Sequence, residues 1–249
     1  MSNSNDVDFV LYTCIVRGYD HHPGPISHQS SCQDLILFSE YPYQKSSNIY
    51  NYPLKSTFRL SSGHDINRFH KLFPHRLFPK TRFSIYVDGN IAYKANYTYL
   101  VECLHSSGAA LAAFRHPADR NLVQEAEACK ALGKFDSYDR AKVDSQLTFY
   151  SADGFNLTYP IPTNYFLVRD HQHPNLPTAM SLWWSHLFEF TKRDQISLPY
   201  VLWKTQLPWI FLDDMDGVDR SNLVRYPHHL SWRKRIARKL KQPIRLLKG

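Results

Sequence analysis

The residues with the clearest chemical potential are a carboxylate and an amide that follow a predicted buried strand. Asp88, Gly89 and Asn90 come directly after Phe83–Val87, a run of apolar, aromatic and β-branched residues. Mg²⁺ and Mn²⁺ accept carboxylate and amide oxygens and keep phosphate or water ligands as well. Asp88 and Asn90 could therefore hold one such cation against the phosphates of a nucleotide, with His228 or His229 as a third ligand. The alternatives are a simple turn at residues 88–90 and a solvated loop around His228.

Polar residues follow three predicted strands, and these strand ends should lie together. The clusters occupy residues 17–20, 88–90 and 115–116, after the apolar runs 9–16, 83–87 and 109–114. In an open parallel sheet the carboxyl ends of the strands meet at one edge, and ligands bind in the crevice outside them. The sequence therefore predicts one site that combines the three clusters, with Gly89 permitting a turn and a close backbone approach.

Asp194 has two competing interpretations. Thr191 and Asp194 are spaced as in a capping box, in which the carboxylate satisfies backbone N–H groups at the start of a helix. However, Arg193, Asp194 and Gln195 place three hydrogen-bonding side chains between a tryptophan-rich helix and an apolar one. This concentration of polar groups favours a functional role over a simple cap.

Strands and helices alternate along the chain, which predicts an α/β fold with a largely parallel sheet. Apolar runs predict strands at residues 9–16, 34–38, 83–87, 109–114, 166–168 and 210–212, whereas residues 41–56 are predicted to be irregular. Apolar positions at helical spacing predict helices at residues 66–78 (broken near Pro74), 96–105, 121–132, 137–152 and 180–190. A further helix is expected to open at residues 191–195.

The net positive charge of the chain resides in its last segment. The 249 residues carry a net charge of +8; residues 231–249 contain eight lysines and arginines and no acid, and the remaining 22 basic residues balance 22 acidic ones. Residues 1–230 are therefore predicted to form one neutral domain, followed by a basic tail at residues 231–249. A neutral body does not predict nucleic-acid binding.

The tail is predicted to form an amphipathic helix. Trp232, Ile236 and Leu240 are spaced i, i+4, i+8 and form a narrow apolar stripe among arginines and lysines. Such a helix suits an anionic membrane surface, where each cation contributes about 1 kcal/mol. A solvated or disordered end, or a helix docked on the body, are the alternatives.

The rest of the sequence is typical of a cytosolic protein. The four cysteines lack Cys-x-x-Cys spacing, which predicts ordinary thiols in a reducing compartment. No apolar run approaches the ~18 residues of a membrane span, and the polar, acidic start is unlike a signal peptide. The expected location is the cytoplasm, on the inner membrane face if the tail binds lipid.

Seven short motifs occur in an order that resembles a family of glycosyltransferase-like domains. This family was formerly called domain of unknown function 616 and includes plant mucilage- and turgor-related proteins and bacterial polysaccharide-biosynthesis proteins. The resemblance covers roughly residues 9–208. Its motifs are residues 12–20 (YTCIVRGYD), 38–40 (FSE), 73–79 (FPHRLFP), 84–90 (SIYVDGN), 114–117 (FRHP), 124–129 (QEAEAC) and 193–197 (RDQIS).

The resemblance implies a single Rossmann-like fold of the nucleotide-diphospho-sugar transferase (GT-A) type. It implies that Thr13, Tyr19 and Asp20 lie near the base and ribose of the nucleotide. It also implies that Asp88 stands where such enzymes keep a metal-binding acidic motif, usually Asp-x-Asp, although this chain has Asp-Gly-Asn. Asp194, with the glutamine that follows it, is similar to the Asp-Gln pair that glycogenin-like retaining transferases place beside the anomeric carbon.

The predicted function is transfer of a sugar from a nucleotide diphosphate, with a UDP-sugar favoured, to a glycan or glycolipid acceptor. Asp194 would orient the acceptor or support an oxocarbenium-like transition state, and Arg76, Arg115 or a Mg²⁺ or Mn²⁺ ion would stabilise the leaving diphosphate. The predicted residues are Arg193, Asp194 and Gln195 for catalysis, Thr13, Tyr19, Asp20, Arg76, Asp88, Gly89, Asn90, Arg115 and His116 for the nucleotide sugar, and Asp88, Asn90 and His228 for the metal.

Two other functions stay open at this point. His171 and His173 alternate, so on a strand both rings would point to one side, and with His116 they could ligate the metal of a hydrolase. Pro174 makes a loop the stronger prediction there. The second alternative is a glycan-binding module without turnover. Binding of a nucleotide would distinguish a transferase from both.

Overall fold

A seven-stranded sheet forms the centre of the protein in the computed structural model, which describes residues 8–16, 34–40, 48–54 and 62–226. The order of its strands is β3-β2-β1-β4-β7-β6-β8. The strands are β1 (Phe9–Ile15), β2 (Leu35–Ser39), β3 (Ile49–Tyr52), β4 (Phe83–Val87), β6 (Leu111–Arg115), β7 (Pro162–Asp170) and β8 (Trp209–Phe211). A separate two-stranded sheet pairs β5 (Ile91–Tyr93) with β9 (Leu223–Arg225).

Each strand of the large sheet runs parallel to its neighbours except β7, which is antiparallel to both β4 and β6. The predicted α/β class with a largely parallel sheet is confirmed. Consecutive residues of β1 and β4 enter two different cores, Tyr12 and Tyr86 on one face and Leu11 and Ile85 on the other. Burial on both faces explains why these strands are continuous apolar runs in the sequence.

Helices connect the strands and cover both faces of the sheet. They are α1 (Gly63–Leu72), α2 (Pro74–Leu77), α3 (Tyr97–Ser107), α4 (Leu122–Ala131), α5 (Ser137–Ala152), α6 (Leu176–Glu189) and α7 (Asp194–Lys204), with 3₁₀ turns at Leu212–Asp214 and Arg220–Asn222. The break at Pro74 between α1 and α2 and the left-handed Gly133 (φ 61°) after α4 agree with the sequence. Within the described ranges, no helix is long and apolar enough to cross a bilayer.

Two strand predictions were wrong in extent. β3 lies inside the segment predicted to be irregular, because it is an edge strand whose Tyr50 and Tyr52 are exposed and therefore shows no apolar run. β7 is nine residues long rather than three. It also includes the buried polar residues Thr163 and Arg169, which lie on either side of the predicted strand 166–168 and interrupt the apolar pattern there.

Candidate functional site

The carboxyl ends of the parallel strands form the edge at which Asp88 and His116 lie. Asp88 follows β4 and its N–H donates to the Tyr165 carbonyl at 2.8 Å, while His116 follows β6 and donates to the Ile161 carbonyl at 3.1 Å. Because β7 runs in the opposite direction, its first residues lie at this edge as well. The polar residues that follow β4 and β6 are therefore neighbours of the start of β7, as expected for a ligand site at a sheet edge.

A buried lysine connects the two carboxylates predicted to be functional. Lys71, in the last turn of α1, is 2% exposed. Its Nζ lies 2.9 Å from Oδ2 of Asp194 and 3.3 Å from Oδ1 of Asp88. Arg68 lies one turn earlier on the same helix face, with its Nε 3.3 Å from the same Oδ2 of Asp194. Neither cation was predicted from the sequence, because their i, i+3 spacing is equally typical of a solvated helix face.

The surrounding cations keep Asp194 ionised. Burial by itself would raise the pKa of Asp194, but the charges of Arg68, Lys71 and Arg193 outweigh burial and hold this pKa well below its usual range. The position of Asp194 at the amino end of α7 also favours negative charge. A fixed, desolvated carboxylate of this kind is suited to stabilising positive charge that develops on a reacting sugar.

Asp194 does not cap its helix, so the capping-box interpretation is wrong. α7 begins at Asp194, its N-cap residue is Arg193, and no side chain caps it. The Thr191 hydroxyl instead donates to Oε1 of Gln146 at 2.8 Å. Nε1 of Trp183 donates to the Asp194 carbonyl at 3.1 Å and fixes the main chain. The carboxylate is thereby left to the two cations of α1.

Gln195 braces the start of β7. Its Nε2 donates to the Pro162 carbonyl, and its Oε1 accepts from the Asn164 N–H at 3.3 Å. Asn164 itself is 2% exposed, and its side-chain amide has no hydrogen-bond partner among the described residues. Because a buried amide without a partner is costly, Asn164 is a further candidate polar contact at this edge. Asn164 is not among the residues predicted from the sequence.

Arg115 and His116 lie at the edge but already face acidic side chains. Nη2 of Arg115 lies 2.8 Å from both carboxylate oxygens of Asp214, and the guanidinium lies over the Phe211 ring, 3.8 Å from its centre. Nε2 of His116 lies 3.5 Å from Oε2 of Glu125. Burial lowers the pKa of His116 and outweighs the opposing effect of Glu125. Neither side chain offers an uncompensated charge to a diphosphate.

The structure does not bring Arg76 to this group of residues. Its guanidinium lies over the Phe73 ring, 4.5 Å from the ring centre. Its charge acts on the neighbouring His75, which interacts electrostatically with His171. The His171 N–H donates to the Arg82 carbonyl, so this group lies at the amino end of β4, opposite Asp88. The predicted contact of Arg76 with a leaving diphosphate at the Asp88 edge is therefore not supported.

The remaining predicted nucleotide contacts are only partly described. Thr13 is fully buried in β1, and its Oγ1 has no hydrogen-bond partner in the described part of the chain. Tyr19 and Asp20, predicted near the base and ribose, lie outside the described residues, as do His228 and residues 231–249.

The loop at residues 88–90 offers two side-chain ligands for a divalent cation, Asp88 and Asn90. A Cβ on Gly89 would lie 3.0 Å from the side chain of Ile15, so the loop packs too closely for a larger residue without adjustment. Oδ2 of Asp88 makes no hydrogen bond or ion pair with a described residue, and Nδ2 of Asn90 donates to the Tyr226 carbonyl at 3.1 Å. The Asn90 amide oxygen is therefore the atom suited to a cation. The described ranges contain no group of three metal-ligating side chains, so the third ligand would come from His228, phosphate or water.

The ligand set of the alternative hydrolase is not assembled. Nε2 of His171 lies 2.8 Å from the Ser84 hydroxyl near the amino end of β4, whereas His116 lies at the opposite edge. Burial lowers the pKa of His171 to about 4. His173 follows in the turn after β7. Three histidines divided between two edges of a sheet cannot share one metal ion.

Comparisons of the sequence with known proteins identify a family. A family model for the TOD1/MUCI70 glycosyltransferase-like domain matches residues 62–229. The chain is 33% identical over 193 residues to the Arabidopsis thaliana protein named probable hexosyltransferase MUCI70, covering 72% of this chain and 32% of that protein. The chain thus spans about a third of the length of this curated relative.

Two solved glycosyltransferases share the fold. Mouse xyloside xylosyltransferase 1 superposes with a TM-score of 0.51 at 13% identity, over 82% of this chain and 85% of that one. The bifunctional glycosyltransferase WbbM gives a TM-score of 0.50 at 11% identity, over 85% and 40% of the two chains. The predicted Rossmann-like GT-A fold is confirmed by these neighbours and by the mostly parallel sheet. The chain belongs to the TOD1/MUCI70 family of glycosyltransferase-like domains.

Proposed function

We propose that this domain transfers a hexose from a nucleotide diphosphate, with a UDP-sugar favoured, to a glycan or glycolipid acceptor. The observation that carries the proposal is the ion-pair chain Asp88–Lys71–Asp194 at the carboxyl edge of the sheet. The partly exposed carboxylate of Asp88, the buried ammonium of Lys71 and the buried carboxylate of Asp194 lie side by side. The protein that contains them belongs to a glycosyltransferase-like family. Such a row of charges matches a donor that has an anionic leaving group and a sugar that becomes cationic.

Each of these groups has a separate task in the transfer. The bond from the anomeric carbon to the diphosphate oxygen breaks, a bond to an acceptor oxygen forms, and the proton of the acceptor hydroxyl passes to solvent, so that the products are the glycoside, the nucleoside diphosphate and one proton. Asp194 stays ionised and would stabilise positive charge on the sugar ring as the first bond breaks. Lys71 would donate hydrogen bonds to the donor from a position that both carboxylates define.

The charges of the described site explain why a cation would be needed. Asp88 and Asp194 are balanced by Lys71 and Arg68, and Arg115 is balanced by Asp214. Arg193 also acts on Asp194, so the three cations exceed the two carboxylates by one charge, which does not neutralise the several negative charges of a leaving diphosphate. Mg²⁺ or Mn²⁺ held by Asp88, Asn90 and His228 would neutralise the diphosphate as it leaves. The ammonium and the metal ion are both needed because they would contact different parts of the donor.

Thermal unfolding with UDP tests the proposal. A ligand at 100 times its dissociation constant stabilises a folded protein by about 2.7 kcal/mol, which for a domain of this size raises Tm by roughly 5–10 °C. We expect such a rise with UDP and Mn²⁺ together and a smaller one with UDP alone. No response to UDP, GDP or other nucleoside diphosphates, with or without metal, would favour a glycan-binding module instead.

Replacing Asp88 with Ala is expected to abolish the Mn²⁺-dependent part of this rise and to leave the fold intact. The side chain of Asp88 is 35% exposed, so its removal costs little packing. Asp144→Ala is the matched control, because Asp144 is an exposed carboxylate on α5 that pairs with Lys130. If Asp88→Ala responds to UDP and Mn²⁺ as the wild type does, residues 88–90 are only a turn.

We also propose that the domain works in the cytoplasm, against the inner face of a membrane that carries lipid-linked acceptors. The sequence of residues 231–249 supports this proposal through its basic residues and the spacing of Trp232, Ile236 and Leu240. Liposomes with anionic lipid should pellet the full chain at low salt and release it at high salt, whereas a chain that ends at residue 230 should stay in solution. Equal pelleting of both chains would refute the membrane proposal.

A further inference from the structure

Arg169 is a buried charge without a carboxylate partner among the described residues. It lies in β7 with 0% exposure. One Nη donates to the Lys71 carbonyl at 2.6 Å, and the other donates to the Tyr12 hydroxyl at 2.7 Å. Burial lowers the pKa of this guanidinium, although an arginine remains charged. Because a buried charge is costly unless it is well compensated, its two neutral acceptors require an explanation.

The acceptor that Arg169 shares with Tyr12 is the main chain of Lys71. The Tyr12 hydroxyl also donates to the Lys71 carbonyl, at 3.2 Å, so Arg169, Tyr12 and Lys71 form a closed triangle. Lys71 lies in the last turn of α1, where carbonyl groups lack partners in the helix and carry partial negative charge. A cation from β7 therefore fixes the end of α1 against the sheet.

The same residue carries its ammonium into the candidate site. From the anchored main chain, the Lys71 side chain reaches Asp194 at 2.9 Å and Asp88 at 3.3 Å. If a donor sugar displaces either carboxylate from the ammonium, the contacts that remain unchanged are those of the main chain. A flexible side chain with four rotatable bonds keeps its position only when its base is rigid.

We propose that Arg169 is a positioning residue of the transfer reaction: through the Lys71 carbonyl it holds the Lys71 ammonium between Asp88 and Asp194. The inference rests on the proposed function for its catalytic consequence. Its structural part, the placement of the ammonium, can be measured without a donor. Arg169 itself touches no reacting atom.

The first experiment measures how fast acetic anhydride modifies Lys71, with peptides quantified by mass spectrometry and the exposed Lys94 as internal reference. In Arg169→Met, Lys71 should react about tenfold faster or more, because a hydrogen bond that involves a charged group shifts a local equilibrium by that much. Arg169→Lys retains the charge but not the paired donors, so the rate of Lys71 modification should lie between those of Arg169→Met and wild type. Tyr12→Phe removes one donor to the same carbonyl and should give a smaller increase in the same direction.

Leu167→Ala is the matched control, because Leu167 is buried in the same strand and its apolar side chain cannot hydrogen-bond to the Lys71 carbonyl. It should lower Tm at least as much as Arg169→Met and leave Lys71 protected well below Tm. Equal reactivity of Lys71 in Arg169→Met and wild type, or an equal increase in Leu167→Ala, would overturn the proposal. If Arg169→Met does not fold, Arg169→Lys and Tyr12→Phe decide by the same criterion.

The second experiment measures UDP released from UDP-glucose and UDP-galactose. In Arg169→Met, kcat should fall on the order of 10²-fold, the effect of a misplaced catalytic group, while the UDP-induced rise in Tm stays at the wild-type value. If kcat is unchanged although Lys71 becomes reactive, the positioning role in transfer is refuted. If the wild type releases no UDP from any nucleotide sugar, the proposed function fails, and the Lys71 reactivity alone still decides whether Arg169 holds the ammonium.

Discussion

Asp194→Asn is expected to reduce sugar transfer on the order of 10³-fold, because it removes the desolvated negative charge beside the reacting sugar. The same change should lower the free energy of unfolding by about 3–5 kcal/mol, since the buried Lys71 loses its nearer carboxylate and Arg68 loses the carboxylate that lies 3.3 Å from its Nε. Sequence reasoning based on a helix cap expects a loss of about 1 kcal/mol or less. The structure therefore revises the predicted stability cost upward.

The pH dependence of stability gives a second measurement on this variant. The folded-state pKa of Asp194 is depressed, so its contribution to stability is fully present above the unfolded-state value near 4 and is lost as pH falls below it. Urea unfolding between pH 7 and pH 2.5 should therefore show a flatter profile for Asp194→Asn than for wild type.

Asp139→Asn is the matched control for both measurements. Asp139 is a buried carboxylate whose Oδ1 accepts a hydrogen bond from the Lys192 N–H at 2.7 Å. Lys192 lies two residues before Asp194 in the chain, so the two carboxylates lie in the same region of the protein. Burial raises its pKa, so the neutral asparagine should cost less stability than at Asp194. Asp139→Asn should transfer sugar normally. Wild-type transfer by folded Asp194→Asn would reduce Asp194 to a structural ion-pair partner.

Strands buried on both faces were predictable, because such strands are continuous apolar runs. β4 lies at Phe83–Val87 as predicted, and α5 occupies Ser137–Ala152 as predicted. β3 was not predictable in this way, since three of its four residues are exposed at the edge of the sheet. The length of β7 was underestimated because the strand buries polar side chains such as Arg169, whose hydrogen-bond partners are distant in sequence.

The candidate site was predictable where one residue and its immediate neighbours define the chemistry. Asp88 follows a strand, and Asp194 stands out among polar neighbours, so both could be named from the sequence. Lys71 could not, because a lysine on a helix is normally solvated, and its two carboxylate partners lie 17 and 123 positions away. The predicted catalytic role of Gln195 rests on the similarity of its Asp-Gln pair to that of glycogenin-like transferases, whereas its contacts are with the main chain of β7.

Lys71→Met is expected to reduce transfer on the order of 10²- to 10³-fold and, at the same time, to strengthen Mn²⁺ binding. The variant removes the donor between Asp88 and Asp194, so the nucleotide sugar loses a fixed hydrogen-bonding cation. It also removes a positive charge 3.3 Å from Asp88, so a divalent ion at that carboxylate should bind roughly tenfold more tightly or better. Asp88→Ala should weaken Mn²⁺ binding. Because general damage to the site would weaken Mn²⁺ binding in both variants, a gain of affinity in Lys71→Met would show the effect of the lost positive charge.

Lys71→Arg and Lys130→Met complete this experiment. An arginine keeps the charge but not the compact ammonium that fits between two carboxylates, so transfer should recover only in part. Lys130 pairs with exposed carboxylates of α4 and α5, and its replacement should change neither transfer nor metal affinity. Calorimetric titration with Mn²⁺ and the release of UDP from UDP-glucose and UDP-galactose measure the two effects on the same preparations. Wild-type transfer in Lys71→Met would show that the ammonium only neutralises buried acids, and the chemistry would then depend on Asp194 and the metal ion alone.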